Sequence, residues 1–467
     1  MTFNSYSFRG RSSYLESISL FRRIRQCLLF TCACMIVAAG IVCAADEPAR
    51  FPGPTIPDGL GVNIHFTAPR PGELEMLAAG GFRVVRMDFG WAGIERKLGA
   101  YDFSAYDRLL DALDRHRIRA MLILDYGNPL YDGGLAPHTD AGRAAFVRWA
   151  VASITHFRGR GVVWEMWNEP NIFFWKPKPD AAAYAALAVA VGKAIRQTPA
   201  IARELYVGPA MSTIDLKFLE TCLRGGCLKY WDAVSVHPYR QDEPTIGWKA
   251  AHETDKVEFN HAGDPERVLA DYAKMRALIR KYAPSTEPIP ILSGEWGYAA
   301  GAGARGGWRA YDTERQAEML ARQWLVNLSA GIPISIWYDW HDDGTNPAEP
   351  EHHFGTVGHE YHASQTPVYQ PKPAYFAAQT LTKTLAGYQF ERIIKQGEAN
   401  DYVLQFRSGD RRAWAAWTIR EPKRSLLPVP AGRYTIISHL GKQSDAVADA
   451  AGLSIELSAA VQYVIPR

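Results

Sequence analysis

A chain of 467 residues is too long for one average domain and suits a large α/β domain with a smaller partner. Its 47% hydrophobic and 22% charged content is that of a soluble globular protein, and a net charge of +3 with no basic patch argues against a nucleic-acid partner. Aromatic residues make up 12% of the chain, and their flat apolar faces suit sugar rings as well as any large core.

Residues 1–44 have the layout of an export signal. Arg22, Arg23 and Arg25 precede the apolar run CLLFTCACMIVAAGIVCA, which ends in Val42-Cys43-Ala44, and cleavage is expected after Ala44. The run is close to the roughly 18 residues that cross a bilayer, so an uncleaved N-terminal anchor is the alternative. This segment carries a balance of +4, so its removal leaves −1. The protein is therefore expected to be periplasmic or secreted, touching a membrane only through an uncleaved signal.

From residue 55 to 387, β-rich runs alternate with helical periodicity. The runs are GVNIHF (61–66), VVRMDF (84–89), AMLILDY (120–126), VVWEMWN (162–168), LYVGPA (205–210), AVSVHPY (233–239), IPILSGEW (289–296) and PISIWYDW (333–340). They are nearly continuous apolar segments, as strands buried on both faces should be. Helices are predicted over 106–118, 142–157, 265–283, 314–328 and 372–387, with Asp264 as N-cap of the third and Pro265 as its first residue. Eight alternations fit a (β/α)8 TIM barrel or a doubly wound sheet, and the lack of a Gly-rich phosphate loop after the first strand favours the barrel. Residues 388–467 change texture to short alternating runs with Ser408-Gly409-Asp410 and Pro430-Ala431-Gly432 between them, which predicts a small antiparallel β-sandwich. That domain is either a buttress for the barrel or a sugar-binding accessory.

Four of the six Cys fall in the signal, which leaves Cys222 and Cys227 in TCLRGGCLKY. Gly225 and Gly226 let the chain fold back between them, so a small disulfide is expected in an oxidising compartment, with free thiols as the alternative. No further Cys or His stands at ligand spacing to complete a metal site.

A barrel of this kind builds its site at the C-terminal ends of the strands. Asn168-Glu169 ends the fourth run and Glu295 ends the seventh, so two carboxylates can face each other across the mouth. One could protonate a leaving oxygen while the other attacks an anomeric carbon or activates water, the minimum for glycoside hydrolysis. Glu165, earlier on the fourth run, is read as a buried structural partner.

These residues carry a resemblance. WNEP near the end of the fourth strand and SGEWGY at the seventh, with VVRMDFGW, LDYGNPLY, DAVSVHPY and WYDWHDDG between and around them, resemble clan A of the glycoside hydrolases. The fuller pattern is similar to glycoside hydrolase family 39 and related bacterial exopolysaccharide glycosidases. The resemblance implies a retaining glycosidase that needs no metal or cofactor and acts on a polysaccharide or oligosaccharide. It assigns Glu169 as general acid/base and Glu295 as nucleophile. Asn168 would hydrogen-bond the sugar 2-hydroxyl and the nucleophile, and His237 and Tyr239 would position the nucleophile and line the glycone site. Arg86 would pair with Glu295 and hold it ionised, and Trp337 would be the platform under the sugar ring. Physically, Glu169 must keep its proton near neutral pH, so apolar rings such as Trp167 are expected beside it. The His-rich loop 341–362 is expected to be a solvated, substrate-facing loop rather than a metal site, and the insertion 246–263 to border the cleft.

Overall fold

Eight short parallel strands close into a barrel in the computed structural model, which describes residues 1–2, 50–239, 264–301, 312–394 and 400–467. They are β1 (Leu60–Asn63), β2 (Val84–Gly90), β3 (Arg119–Asp125), β4 (Val163–Met166), β5 (Leu205–Ser212), β6 (Ala233–His237), β7 (Ile291–Trp296) and β8 (Ser335–Trp337). They pair in chain order, and β1 closes on β8 through Leu60–Ser335 and Val62–Trp337. Closure excludes the doubly wound sheet. Several strands are shorter than their apolar runs because the last residues leave the ladder to build the barrel mouth.

The barrel interior is filled in layers. Val84, Met121, Val163, Leu205, Val207, Ala233, Leu292, Ile334 and Ile336 form an apolar core of their own inside the barrel. Two residues further along β2 and β4 the inward positions become Arg86 and Glu165, so the interior turns polar toward the mouth. Helices follow the strands and bury their inward stripes against them. Helix Thr313–Ser329 is buried over nearly its whole circumference, since helix Pro373–Thr384 and the strand Gln389–Ile393 pack on it beside the barrel.

After helix Pro373–Thr384, strands β11 (Gln389–Ile393), β12 (Asp401–Ser408), β13 (Arg411–Thr418), β14 (Lys423–Leu427), β15 (Gly432–Ser438), β16 (Gln443–Ala448), β17 (Leu453–Leu457) and β18 (Gln462–Pro466) form a six-stranded antiparallel sheet and a two-stranded one. Side chains of β13 alternate between two cores. Trp414 and Ala416 pack against Leu427 and Ile455 of the two-stranded sheet, while Ala413, Ala415 and Trp417 join the main core shared with the barrel. The sheet is thus buried on both faces and welded to the barrel, and residues Ala49–Arg467 form one compact unit. Strands β11, β14 and β16 escaped the sequence pattern because they are sheet edges with few buried residues. A small hairpin, β9 (Val357–Tyr361) and β10 (Tyr369–Pro371), also lies in and after the His-rich loop.

Two local expectations are corrected. Asp264 makes no side-chain cap; its carboxylate accepts instead from Arg322 Nη2 at 2.8 Å, and Pro265 opens a short 3-10 turn before the helix proper, Val268–Tyr282. Cys222 and Cys227 are free, buried thiols, and the expected disulfide is not formed. The two glycines do bring the thiols together, but burial, and then Cys227, pushes the Cys222 pKa up and disfavours the thiolate from which a disulfide forms. The segment expected to be an export signal, apart from residues 1–2, and the insertion 246–263 lie outside the described residues. Among the described residues no helix is long and apolar enough to cross a membrane.

Candidate active site

Both strand-end glutamates are delivered by breaks in regular strand geometry. On β4, Val163 and Glu165 point into the barrel while Trp164 and Met166 point out. Strict alternation would send Asn168 outward. Trp167 (φ 63°) and Glu169 (φ 44°) both take the left-handed conformation, which costs about 1 kcal/mol or more each for such residues. The ring of Trp167 therefore turns outward onto Phe146 and Trp175, and the consecutive Asn168 and Glu169 both reach the cavity. Glu169 N donates to Ala210 O at 2.9 Å. Asn171 clamps the following turn to β5, donating from Nδ2 to Ser212 O at 2.9 Å and accepting from Ser212 N at 2.8 Å.

On β7 the device is a bulge. Ser293 pairs with Ser335 and Trp296 with Trp337, so three steps on β7 oppose two on β8 and Glu295 is re-aimed toward the mouth. Gly294 is required there: a Cβ would sit 2.6 Å from Ser235 Oγ and 3.1 Å from Glu165 Oε1.

Arg86, 1% exposed, organises the floor. Its Nε donates to Glu165 Oε2 at 2.6 Å, Nη1 to Glu295 Oε2 at 2.7 Å and Nη2 to Asn168 Oδ1 at 2.8 Å. Burial works against its charge, but Glu165 and then Glu295 outweigh that and raise its pKa. Ser235 Oγ donates to the other oxygen of Glu165, which completes the anchor. Glu295 also accepts from Tyr239 Oη at 2.7 Å and from Asn63 Nδ2 at 3.1 Å.

His237 joins the two glutamates, and Arg86 decides its tautomer. Arg86 Nη2 stands 3.1 Å from His237 Nε2 and can only donate, so Nε2 accepts and the ring proton sits on Nδ1. That Nδ1–H then donates to Glu169 Oε1 at 2.8 Å. Burial first, against the opposing pull of Glu295, lowers the His237 pKa to about 4, so the ring is neutral at ordinary pH. His237 thus positions Glu169, at 2.8 Å, rather than Glu295, at 3.9 Å.

The carboxylates, with Asn63, Arg86, Asn168 and Tyr239, line a cavity of about 440 Å³. Single oxygens of Glu169 and Glu295 lie within 4.8 Å of each other. So close an approach suits a retaining pair, whose carboxyls stand about 5–5.5 Å apart, better than an inverting pair at roughly 6.5–9.5 Å.

The structure brings Arg86, Asn168, Glu169, His237, Tyr239 and Glu295 together. It does not bring Trp337: that ring is 0% exposed, packs edge-on against Trp296 and donates from Nε1 to Phe354 O at 3.1 Å. The next residue, Tyr338, lines the cavity instead, because it lies past the strand end where the chain has left the ladder. Asn168 bonds Arg86 and not Glu295, whose amide donor is Asn63. Trp167 does not wall Glu169; Ile172, Phe173 and Phe174 of the same loop line the cavity. The sequence missed Asn63, Tyr338 and Asn171, although Asn63 and Tyr338 follow the rule that polar strand ends reach the mouth.

A further titratable group lies at the rim. His65 Nε2 stands 3.3 Å from Asp339 Oδ2, and these two with Asp343 offer three ligand atoms within 4.8 Å of one another. Burial opposes the His65 charge, but the hydrogen bond and charge of Asp339 raise its pKa to about 9, so an imidazolium supplies the cation in that cluster. Glu351, also lining the cavity, is pushed up to about 7 by burial and then by Glu295.

The fold is shared with solved glycoside hydrolases. A family 39 glycoside hydrolase from the gut symbiont Bacteroides cellulosilyticus WH2 gives a TM-score of 0.71 at 20% identity, over 88% of this chain and 81% of that one. A monomeric beta-xylosidase from Caulobacter crescentus CB15 gives 0.60 at 18%, over 90% and 98%. A GH30 endoxylanase from Clostridium papyrosolvens C71 gives 0.58 at 10%, again over 90% and 98%. No protein-family model and no curated protein matches the chain. At these identities the likeness is one of fold, a (β/α)8 TIM barrel extended by a β domain, and the chemistry rests on the residues themselves.

Proposed function

We propose that this protein is a retaining O-glycosidase that cleaves a polysaccharide or oligosaccharide, with endo action on an extracellular polysaccharide as the leading reading. The observation that carries it is the pair of carboxylates, Glu169 and Glu295, held within 4.8 Å across one cavity. Glu295 attacks the anomeric carbon as the glycosidic C–O bond breaks, and Glu169 gives its proton to the departing oxygen. The Nδ1–H of His237 then faces the new Glu169 carboxylate and stabilises it. In the second step Glu169 takes a proton from water, whose oxygen attacks the anomeric carbon and releases Glu295. Arg86, Tyr239 and Asn63 give Glu295 three donors that disperse its charge before attack and after release. Asn168, oriented through Oδ1 by Arg86, presents Nδ2 for the sugar 2-hydroxyl.

Exo-acting β-xylosidase-like action is the second reading, favoured by the likeness to the Caulobacter beta-xylosidase. The N-terminal signal supports export to the periplasm or beyond, whether cleaved or kept as an anchor. The test is a panel of polysaccharides and nitrophenyl glycosides, with NMR to identify the anomer formed first and chromatography to size the products. Retained configuration is expected; an inverted first product removes Glu295 as nucleophile.

A further inference from the structure

The wall of the cavity beside Glu169 is aromatic and partly bare. Phe174 stacks on Tyr126 with ring centroids 5.8 Å apart and planes at 13°, and Phe173 meets Phe174 at 4.4 Å. All three line the cavity. Phe173 is nevertheless 63% exposed where it lines the cavity, so its ring is open to a ligand there. The loop that carries the rings is firmly held: Phe174 O accepts from Trp167 Nε1 at 3.2 Å, beyond the Asn171 clamp to β5.

We infer that Phe173 and Phe174 form a platform for the leaving sugar, stacking on its C–H face while Glu169 protonates the bridging oxygen. The inference rests on the glycosidase reading. Its geometric argument is chain proximity: Phe173 and Phe174 follow Glu169 by four and five residues in one pinned loop, so the rings flank the group that meets the departing oxygen. The opposite wall, from the chain beyond β1 and β8, presents His65, Tyr338 and Glu351, whose polar atoms suit the hydroxyls of the sugar retained on Glu295. The preferred substrate therefore carries a sugar on the leaving side of the bond, and a glycoside with a small leaving group forgoes part of the binding.

Phe173→Ala tests this on an exposed side chain whose loss leaves the core intact. Turnover is measured with xylotriose and cellotriose, and with β-xylosyl and β-glucosyl fluoride, whose fluoride cannot reach the rings. The variant is expected to lose about tenfold in kcat/KM on the trisaccharides, mainly through KM. It should keep the fluoride rate within roughly twofold, and Phe173→Tyr should restore the trisaccharide rate. Equal losses on both substrate types would place the effect on a step that both share and not on the leaving sugar, and unchanged rates on both would also overturn the platform; a loss confined to the trisaccharides with unchanged trisaccharide affinity would assign Phe173 to Glu169, since fluoride leaves without a general acid. Calorimetry of the trisaccharides with Glu169→Gln protein, with and without Phe173→Ala, reads the platform without turnover. If the wild type neither binds nor cleaves any of the four compounds, or any member of the wider panel, the glycosidase reading itself fails.

Discussion

Two buried arginines invite comparison. Arg86 and Arg322 are 1% and 0% exposed, each holds two carboxylates, and in each those carboxylates outweigh burial and raise the guanidinium pKa. Arg322 donates from Nε to Glu266 Oε1 and from Nη2 to Glu266 Oε2, both at 2.7 Å, and from Nη2 to Asp264 Oδ1 at 2.8 Å. Trp417 of the C-terminal sheet closes this cluster with an Nε1 donation to Glu266 Oε1 at 2.6 Å. Glu266 is fully buried and joins barrel to sheet, and Asp264, 24% exposed in its side chain, stands outside the cavity that holds Glu169 and Glu295. Around Arg86 one carboxylate, Glu165, is sealed in the same way, but Glu295 keeps 12% of its side chain exposed toward a cavity. Buried charge alone thus does not mark a site; a carboxylate tied down on one side and open to a cavity on the other does.

The largest expected effect sharpens that contrast. Glu169→Gln and Glu295→Gln should each lower kcat by about a thousandfold or more while circular dichroism and melting temperature stay near wild type. Near wild-type turnover in either variant, on a confirmed substrate, removes that residue from the chemistry. Next come the arginines themselves. Arg86→Met and Arg322→Met should each destabilise by about 3–5 kcal/mol in denaturant melts, because each strands buried carboxylates. Only Arg86→Met should also abolish turnover in the folded fraction. If Arg322→Met does so too, the two clusters are not functionally distinct.

A smaller effect concerns acid. The His237 pKa is about 4 in the folded protein, below its ordinary value of 6.5. As pH falls through 6.5 the unfolded chain binds that proton first, so stability declines from there and the decline ends near 4. His237→Asn should lose this part of the acid dependence of the melting temperature; an unchanged slope assigns the dependence elsewhere. The smallest effect is expected at the thiols. Cys222→Ala should cost about 1 kcal/mol with activity intact. Alkylation of the unreduced, denatured protein should modify both Cys222 and Cys227, and protection of the pair would mean that a disulfide does form.

The parts legible in sequence share one property: their signal is local. β-Branched runs such as VVRMDF on β2 and AMLILDY on β3 mark strands wherever they lie, and Glu169 and Glu295 announce themselves as charges that close apolar segments. The tautomer and partner of His237 were not legible, because they depend on Arg86, 151 residues away in the chain. Trp337 was misplaced because it is the last residue of β8, on the outward face, and only the strand's true end shows that Tyr338 takes the cavity. The edge strands β11, β14 and β16 were invisible since an edge buries too little to impose alternation.

The amino-acid order alone determined the alternation of strand and helix, the two carboxylates and the texture of the C-terminal domain, since each follows from neighbours along the chain. Only the tertiary structure decided which side chains face one another. The left-handed turns at Trp167 and Glu169 and the bulge at Gly294 rotate side chains by single residues, and their cost is offset by contacts between β1, β2, β4, β6 and β7 that no linear segment contains.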